Sequence, residues 1–160
     1  MTERIFVTPV DGITVRHTGV LDLDDFMFWL KRWLDFNGYK QDEDFYEEKN
    51  TQRGKIAIFR WTAKKTKDQY FSYLIEIYFN FIGIVDVEVP IENRKIKMQK
   101  GEFEIRLVAY LNKGEEVPTF FRSIYEKFLK KETMELHLSE VYSKVYSLQE
   151  EIKSKFNQYV

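Results

Sequence analysis

The strongest periodic signal in the chain lies near its C-terminal end. Met134, Leu138, Val141, Val145, Leu148, Ile152, Phe156 and Tyr159 recur at steps of three and four residues. That spacing keeps apolar side chains on one stripe of an α-helix. At ~1.5 Å per residue, a helix from Met134 to Tyr159 would be about 39 Å long. A ridge this narrow serves two arrangements. It can lie across an apolar sheet face, or it can form the seam of a coiled-coil dimer. The strands upstream need a cover for their apolar side, which favours the first.

From Tyr39 to Leu111 the period changes to two. Phe45 and Tyr46 sit in a strongly acidic strand, followed by a turn over Asn50 to Gly54. Ala57, Phe59, Trp61 and Ala63 then alternate with Ile56, Ile58 and Arg60. Beyond a polar turn at Lys64 to Asp68, one face of a long strand carries Phe71, Tyr73, Ile75, Ile77, Phe79 and Phe81. The other face carries Leu74, Glu76, Tyr78 and Asn80. Gly83 predicts a bulge or bend, since a glycine inside a strand pattern usually marks one. Glu92-Asn93-Arg94-Lys95 reads as a hairpin connection. The returning strand is expected to break at Gly101 and resume with Phe103, Ile105, Leu107, Ala109 and Leu111. Alternation over adjoining strands predicts an antiparallel sheet with one face buried.

Ahead of the sheet, Ile5 to Val15 reads as a short strand or hairpin around Pro9 and Gly12. A helix is predicted from Asp22, a good N-cap, to Asn37, with Gly38 as its stop. Leu23, Phe26, Met27, Leu30, Trp33 and Leu34 fall on one face of it, with Trp29 and Phe36 flanking. Phe28 projects among charges on the far side. Pro118 suits the first turn of a further helix, with Phe121, Ile124, Tyr125 and Phe128 on its apolar face. The whole chain, residues 1–160, reads as one α+β domain: N-terminal strand or hairpin, helix, antiparallel β-meander, long C-terminal helix.

This order resembles the helix-grip arrangement of START and SRPBCC-type domains, including Bet v 1-like proteins. The resemblance lies in topology and covers most of the chain. It implies that the helix from Met134 to Tyr159 closes over a curved sheet and leaves a cavity for apolar or amphipathic ligands. One departure is the single helix from Asp22 to Asn37, where two short ones are common.

Composition narrows the chemistry. The 160 residues contain no Cys, which removes thiolate metal sites, Cys nucleophiles and redox motifs. Aromatic residues make up 17% of the chain and the net charge is −1. That charge is unevenly spread: residues 1–50 hold 6 Lys/Arg against 11 Asp/Glu, and residues 51–100 hold 10 against 5. A balanced total disfavours nucleic-acid binding, which rests on clustered cations. The basic residues Lys64, Lys65, Lys67, Arg94, Lys95, Lys97 and Lys100 fall at strand ends, where lysines also guard edges. No apolar run reaches the length of a membrane span, and with neither Cys nor an export signal a cytoplasmic address is the expectation.

No catalytic spacing is present: no HExxH, GxSxG or glycine-rich phosphate loop. His17 and His137 are expected on the surface or at the rim of the core. Arg60 is the expected cross-strand partner of Glu76. No cofactor or metal is expected, and the chain reads as more binder than enzyme. Two functions fit. The first is noncatalytic binding of an apolar small molecule between sheet and helix, lined by Phe59, Trp61, Tyr73, Ile77, Phe79, Val141, Val145 and Leu148. The second is a protein–protein module, a homodimer or hetero-complex, using Phe28 of the first helix and Leu74, Tyr78 and Tyr110 of the outer strand faces. Ile56, Ile58 and Val108 are also apolar on those faces.

Overall fold

A computed structural model describes residues 3–114 and 130–158. The helix expected after Pro118 lies outside the described residues. The elements run β1 (Glu3–Phe6), β2 (Ile13–Leu21), α1 (Leu23–Phe36), β3 (Lys40–Thr51), β4 (Gly54–Thr66), β5 (Phe71–Ile91), β6 (Arg94–Lys113) and α2 (Lys130–Asn157).

All strand pairings are antiparallel, and the sheet order is β1-β6-β5-β4-β3, with β2 also on β6. Two short strands therefore share one edge. β1 covers Tyr110 to Lys113 and β2 covers Gln99 to Leu107. The interruption falls at Pro9, which has no N–H to give a ladder. There Thr8 Oγ1 accepts a hydrogen bond from the Ala109 N–H in place of a strand carbonyl. Gly12 then turns the chain with φ 87°, where a Cβ would lie 2.8 Å from the Leu107 carbonyl oxygen.

The helix α1 starts and stops where its sequence indicates. Asp22 accepts from the Asp25 N–H, and Asp24 and Asp25 sit at the positive end of the helix dipole. At the other end Gly38 N–H bonds Asp35 O and Tyr39 N–H bonds Leu34 O at 2.8 Å. This paired closure is a Schellman cap, and it fixes where Tyr39 enters the core.

In β5 the register shifts between Ile82 and Val85, around Gly83 at φ 66°, so the expected bend is there. β6 instead runs unbroken through Gly101, which pairs with Gly19 of β2. Glycine at 101 serves packing: a Cβ there would come within 2.5 Å of Ile84 Cδ1. Glu92 and Asn93 both have positive φ, the geometry of a two-residue primed turn that suits the twist of a hairpin.

The helix α2 lies against β6, β2 and β5. Val141, Val145, Leu148, Ile152 and Phe156 are buried in one core with the inner faces of β4, β5 and β6 and with Phe26, Leu30 and Leu34 of α1. The stripe is thus a ridge on the sheet. In strand order, intervening helix and closing helix, the chain has a helix-grip-like topology.

Candidate functional site

At the N-terminal half of α2 the seam between helix and sheet turns polar. The end of β4 and the β4–β5 turn each bring a lysine there, Lys65 and Lys67. Asp68 Oδ1 accepts from the N–H groups of Tyr70 and Phe71 at 2.7 and 2.8 Å, an Asx-type closure with Lys67 on one side and Phe71 on the other. Lys65 stands directly across from Tyr73 in the β4–β5 register. On α2, His137 and Glu140 are three residues apart and so share one face.

The Tyr73 hydroxyl, on a fully buried side chain, meets both: 2.5 Å to His137 Nδ1 and 2.6 Å to Glu140 Oε2. A phenol has one proton to give. An ionised Glu140 can only accept it, so His137 Nδ1 must carry its own proton and donate to the Tyr73 oxygen. This assigns the tautomer of His137 and leaves its Nε2 as the lone-pair nitrogen. The Phe71 ring lies 4.6 Å from the imidazole.

The charges respond accordingly. Burial pushes the His137 pKa down, Lys67 adds to the effect, and Asp68 and Glu140 oppose it. Burial would raise Glu140, but the Tyr73 hydrogen bond, Lys67 and Lys65 outweigh it and hold the carboxyl below the usual range. Burial and the Glu140 hydrogen bond push the Tyr73 hydroxyl well up, so it remains a donor. Lys65 and Lys67 Nζ stand 3.9 and 3.7 Å from Glu140 Oε1, too far for direct hydrogen bonds. Their ammonium donors are not consumed by the carboxylate.

Tyr39 completes the cluster. It is only 3% exposed, and its buried hydroxyl has no hydrogen-bond partner. Burial, then the Glu140 charge, keep that hydroxyl protonated. The Lys65 ammonium lies 5.9 Å from its ring centre. Nearby, Lys144 Nζ donates to Asn37 Oδ1 at 2.9 Å, tying α2 to the cap of α1.

The eight residues expected to line a cavity are all buried: Phe59, Trp61, Tyr73, Ile77 and Phe79 from the sheet, Val141, Val145 and Leu148 from α2. Phe59 and Phe79 stack at 4.3 Å, and Trp61 meets Phe79 edge-on at 5.0 Å. Surface cavities open beside His17, Asp68 and Gly83 and on α1, and none of these is bordered by any of the eight.

The outer sheet face differs from expectation. Tyr110 is 2% exposed, beneath Phe6 at 5.3 Å and Arg4 at 5.0 Å; Val108 is buried as well. β1 provides this cover. Glu76 does not pair with Arg60. It accepts from Tyr78 and Tyr110 at 2.9 and 3.0 Å, and burial, then the Glu76 charge, push the Tyr110 hydroxyl up to about 12. Arg60 instead bonds Asp44 at 2.8 Å, because the bulge between Glu43 and Phe45 turns Asp44 toward it. Leu74 and Tyr78 are half-buried, Tyr78 beneath Arg106 at 4.1 Å. Phe28 is 61% exposed, as expected.

His17 is a second correction. Rather than lying at the surface or rim it is buried, stacked on Phe156 at 5.3 Å with Nε2 2.8 Å from Val20 O. Its short hydrogen bond within its own strand made burial affordable. Sequence reasoning placed Lys65, Lys67 and His137 without joining them, and passed over Tyr39 and Glu140. The i, i+3 spacing of His137 and Glu140 beside the stripe, and a tyrosine directly after a glycine stop, were the available signals.

Among the described residues no helix is long and apolar enough to cross a membrane, and no group of three metal-ligating side chains comes together. Topologically the arrangement is helix-grip-like. Comparison with protein-family models, curated proteins and solved structures finds no match.

Proposed function

We propose that the protein is a noncatalytic small-molecule binder whose site is the polar end of the seam between α2 and the sheet. The observation that carries this reading is the Tyr39 hydroxyl, buried and unpartnered on a ring that Lys65 covers, with Lys67 near the same Glu140 carboxylate as Lys65. Leaving a buried donor unmet costs about 1–3 kcal/mol, a cost that a ligand's acceptor oxygen would remove. The ligand is thus an apolar molecule with an oxygen acceptor at one end. Its head meets Tyr39, Lys65 and Lys67, and its body meets the aromatic wall that begins at Tyr73 and Phe71. Lys65, lying over the Tyr39 ring, is the side chain that moves to admit it.

Native mass spectrometry of protein isolated from its own cells without a denaturing step tests the reading. The expected result is a noncovalent adduct that is lost on denaturation and strongly reduced in Tyr39→Phe. Folded wild-type protein free of any adduct, or an adduct indifferent to Tyr39→Phe, would overturn it. Protein–protein contact is favoured by a separate observation, the aromatic surface of α1, where Phe36 is 92% exposed.

A further inference from the structure

The helix α1 is apolar on two sides. Phe26, Leu30 and Leu34 are buried in the core. On the side turned away, Asp25, Phe28, Trp29, Arg32, Trp33 and Phe36, joined by Lys155 of α2, line an open groove of about 400 Å³. At 100° per residue those six positions of α1 span an arc of about 140°. Trp29 and Trp33 are half-buried and pack on the core, forming the floor. Phe28 and Phe36 project from it. Single exposed apolar residues need no explanation, but four aromatics in one patch do. Trp and Arg are also the side chains that most often dominate binding energy at interfaces.

We infer that this surface is the contact between two copies of the chain, with their α1 helices crossing antiparallel about a two-fold axis near residues 30 and 31. A two-fold contact requires one patch to complement itself, and this patch holds both halves of each pairing. About that axis Phe28 shares one flank with the partner's Arg32, and Trp33 shares the other with the partner's Trp29. Trp29 faces the partner's Arg32, whose guanidinium can lie over the indole as a cation–π pair. Asp25 lies one helical turn from the partner's Arg32, close enough for an ion pair, and Phe36 of each copy closes the ends. An acid, a cation and a projecting ring along one ridge are what an antiparallel copy needs.

A lipid surface fits less well. Interfacial helices rely on an excess of Lys and Arg on the polar face, whereas α1 carries Asp24, Asp25 and Asp35 against Lys31 and Arg32. The inference does not rest on the ligand reading, since the groove shares no residue with the seam cluster.

Sedimentation equilibrium of the full chain, from about 1 to 200 µM at fixed salt, tests it. The wild-type protein is expected to show a monomer–dimer equilibrium. Phe28→Asp and Phe36→Asp should each weaken dimerisation by at least ~tenfold, as loss of a hot-spot side chain does. Circular dichroism checks that both variants remain folded. Ile91→Asp, on the distant hairpin, should leave the equilibrium unchanged. A charge swap gives the second arm. Asp25→Arg should weaken the dimer, and adding Arg32→Asp should restore much of the loss. A wild-type chain that stays monomeric throughout, a dimer indifferent to Phe28→Asp and Phe36→Asp, or no recovery on the charge swap would overturn the inference.

Discussion

The two ends of α2 meet the same sheet in opposite ways. At the C-terminal end Phe156 stacks between Phe26 and His17, at 5.1 and 5.3 Å, and Phe103 lies on the other side of the imidazole. His17 satisfies Nε2 on the Val20 carbonyl of its own strand, so it serves there as a flat ring with a local bond. At the N-terminal end His137 also touches a phenylalanine. Its Nδ1 proton, however, goes to Tyr73 of β5, which in turn binds Glu140. The same residue type is packing material at one end and part of a network joining two elements at the other. The difference lies in where the hydrogen-bond partner is found: three residues away in the first case and 64 in the second.

Breaking each end should give effects of different size and sign. Phe156→Ala removes a buried ring from the dry end and should cost about 3–5 kcal/mol in chemical denaturation. A loss under ~1 kcal/mol would show that this end is not packed as described. At the polar end Tyr73→Phe leaves His137 and Glu140 without their shared hydroxyl and should cost about 1–3 kcal/mol, nearer the lower figure because water reaches Glu140. Tyr39→Phe should act the other way: deleting an unmet hydroxyl leaves ligand-free stability unchanged or raises it by up to ~1 kcal/mol. A destabilised Tyr39→Phe would mean that the hydroxyl has a partner after all.

The smallest effect is with pH. His137 has a folded pKa below its ordinary value of 6.5, so the unfolded chain takes up its proton first. Stability should therefore fall as pH drops from about 6.5 toward that lower folded value. Glu140 is also depressed, from 4.5. Its contribution is present above 4.5 and is lost as pH falls through the folded value. Both groups act in the same direction, so acid loosens this end of α2. In thermal melts between pH 7.5 and 5, His137→Gln should flatten the slope, while His17 variants test whether the effect belongs to this end alone. An unchanged slope in His137→Gln would remove His137 as the cause.

Much of the fold was legible in the sequence because it rests on short-range regularities. The cap at Asp22, the Gly38 stop, the alternation of β4 and β5 and the stripe on α2 each follow from spacing along the chain. What depended on pairing distant segments was not. The row from Tyr39 through Tyr73 to Glu140 joins the α1–β3 connection, β5 and α2, and no spacing announces it. Arg60 was expected to reach Glu76, but a bulge in β3 brought Asp44 to it first. His17 appeared suited to the surface until its own strand carbonyl made burial affordable. Gly101 resembled a break and proved a close-packed strand position. Local pattern shows which face a side chain takes, and only register shows what it meets there.

The outermost strand carries one more consequence. β3 ends the sheet, and its 12 residues include Asp42, Glu43, Asp44, Glu47 and Glu48. A second copy laid against that open edge would set carboxylate against carboxylate along most of its length, while the opposite edge is split in two at Pro9. What keeps neighbouring molecules from extending one sheet into a fibre is therefore a charged fence, strong in dilute buffer and lowered by salt.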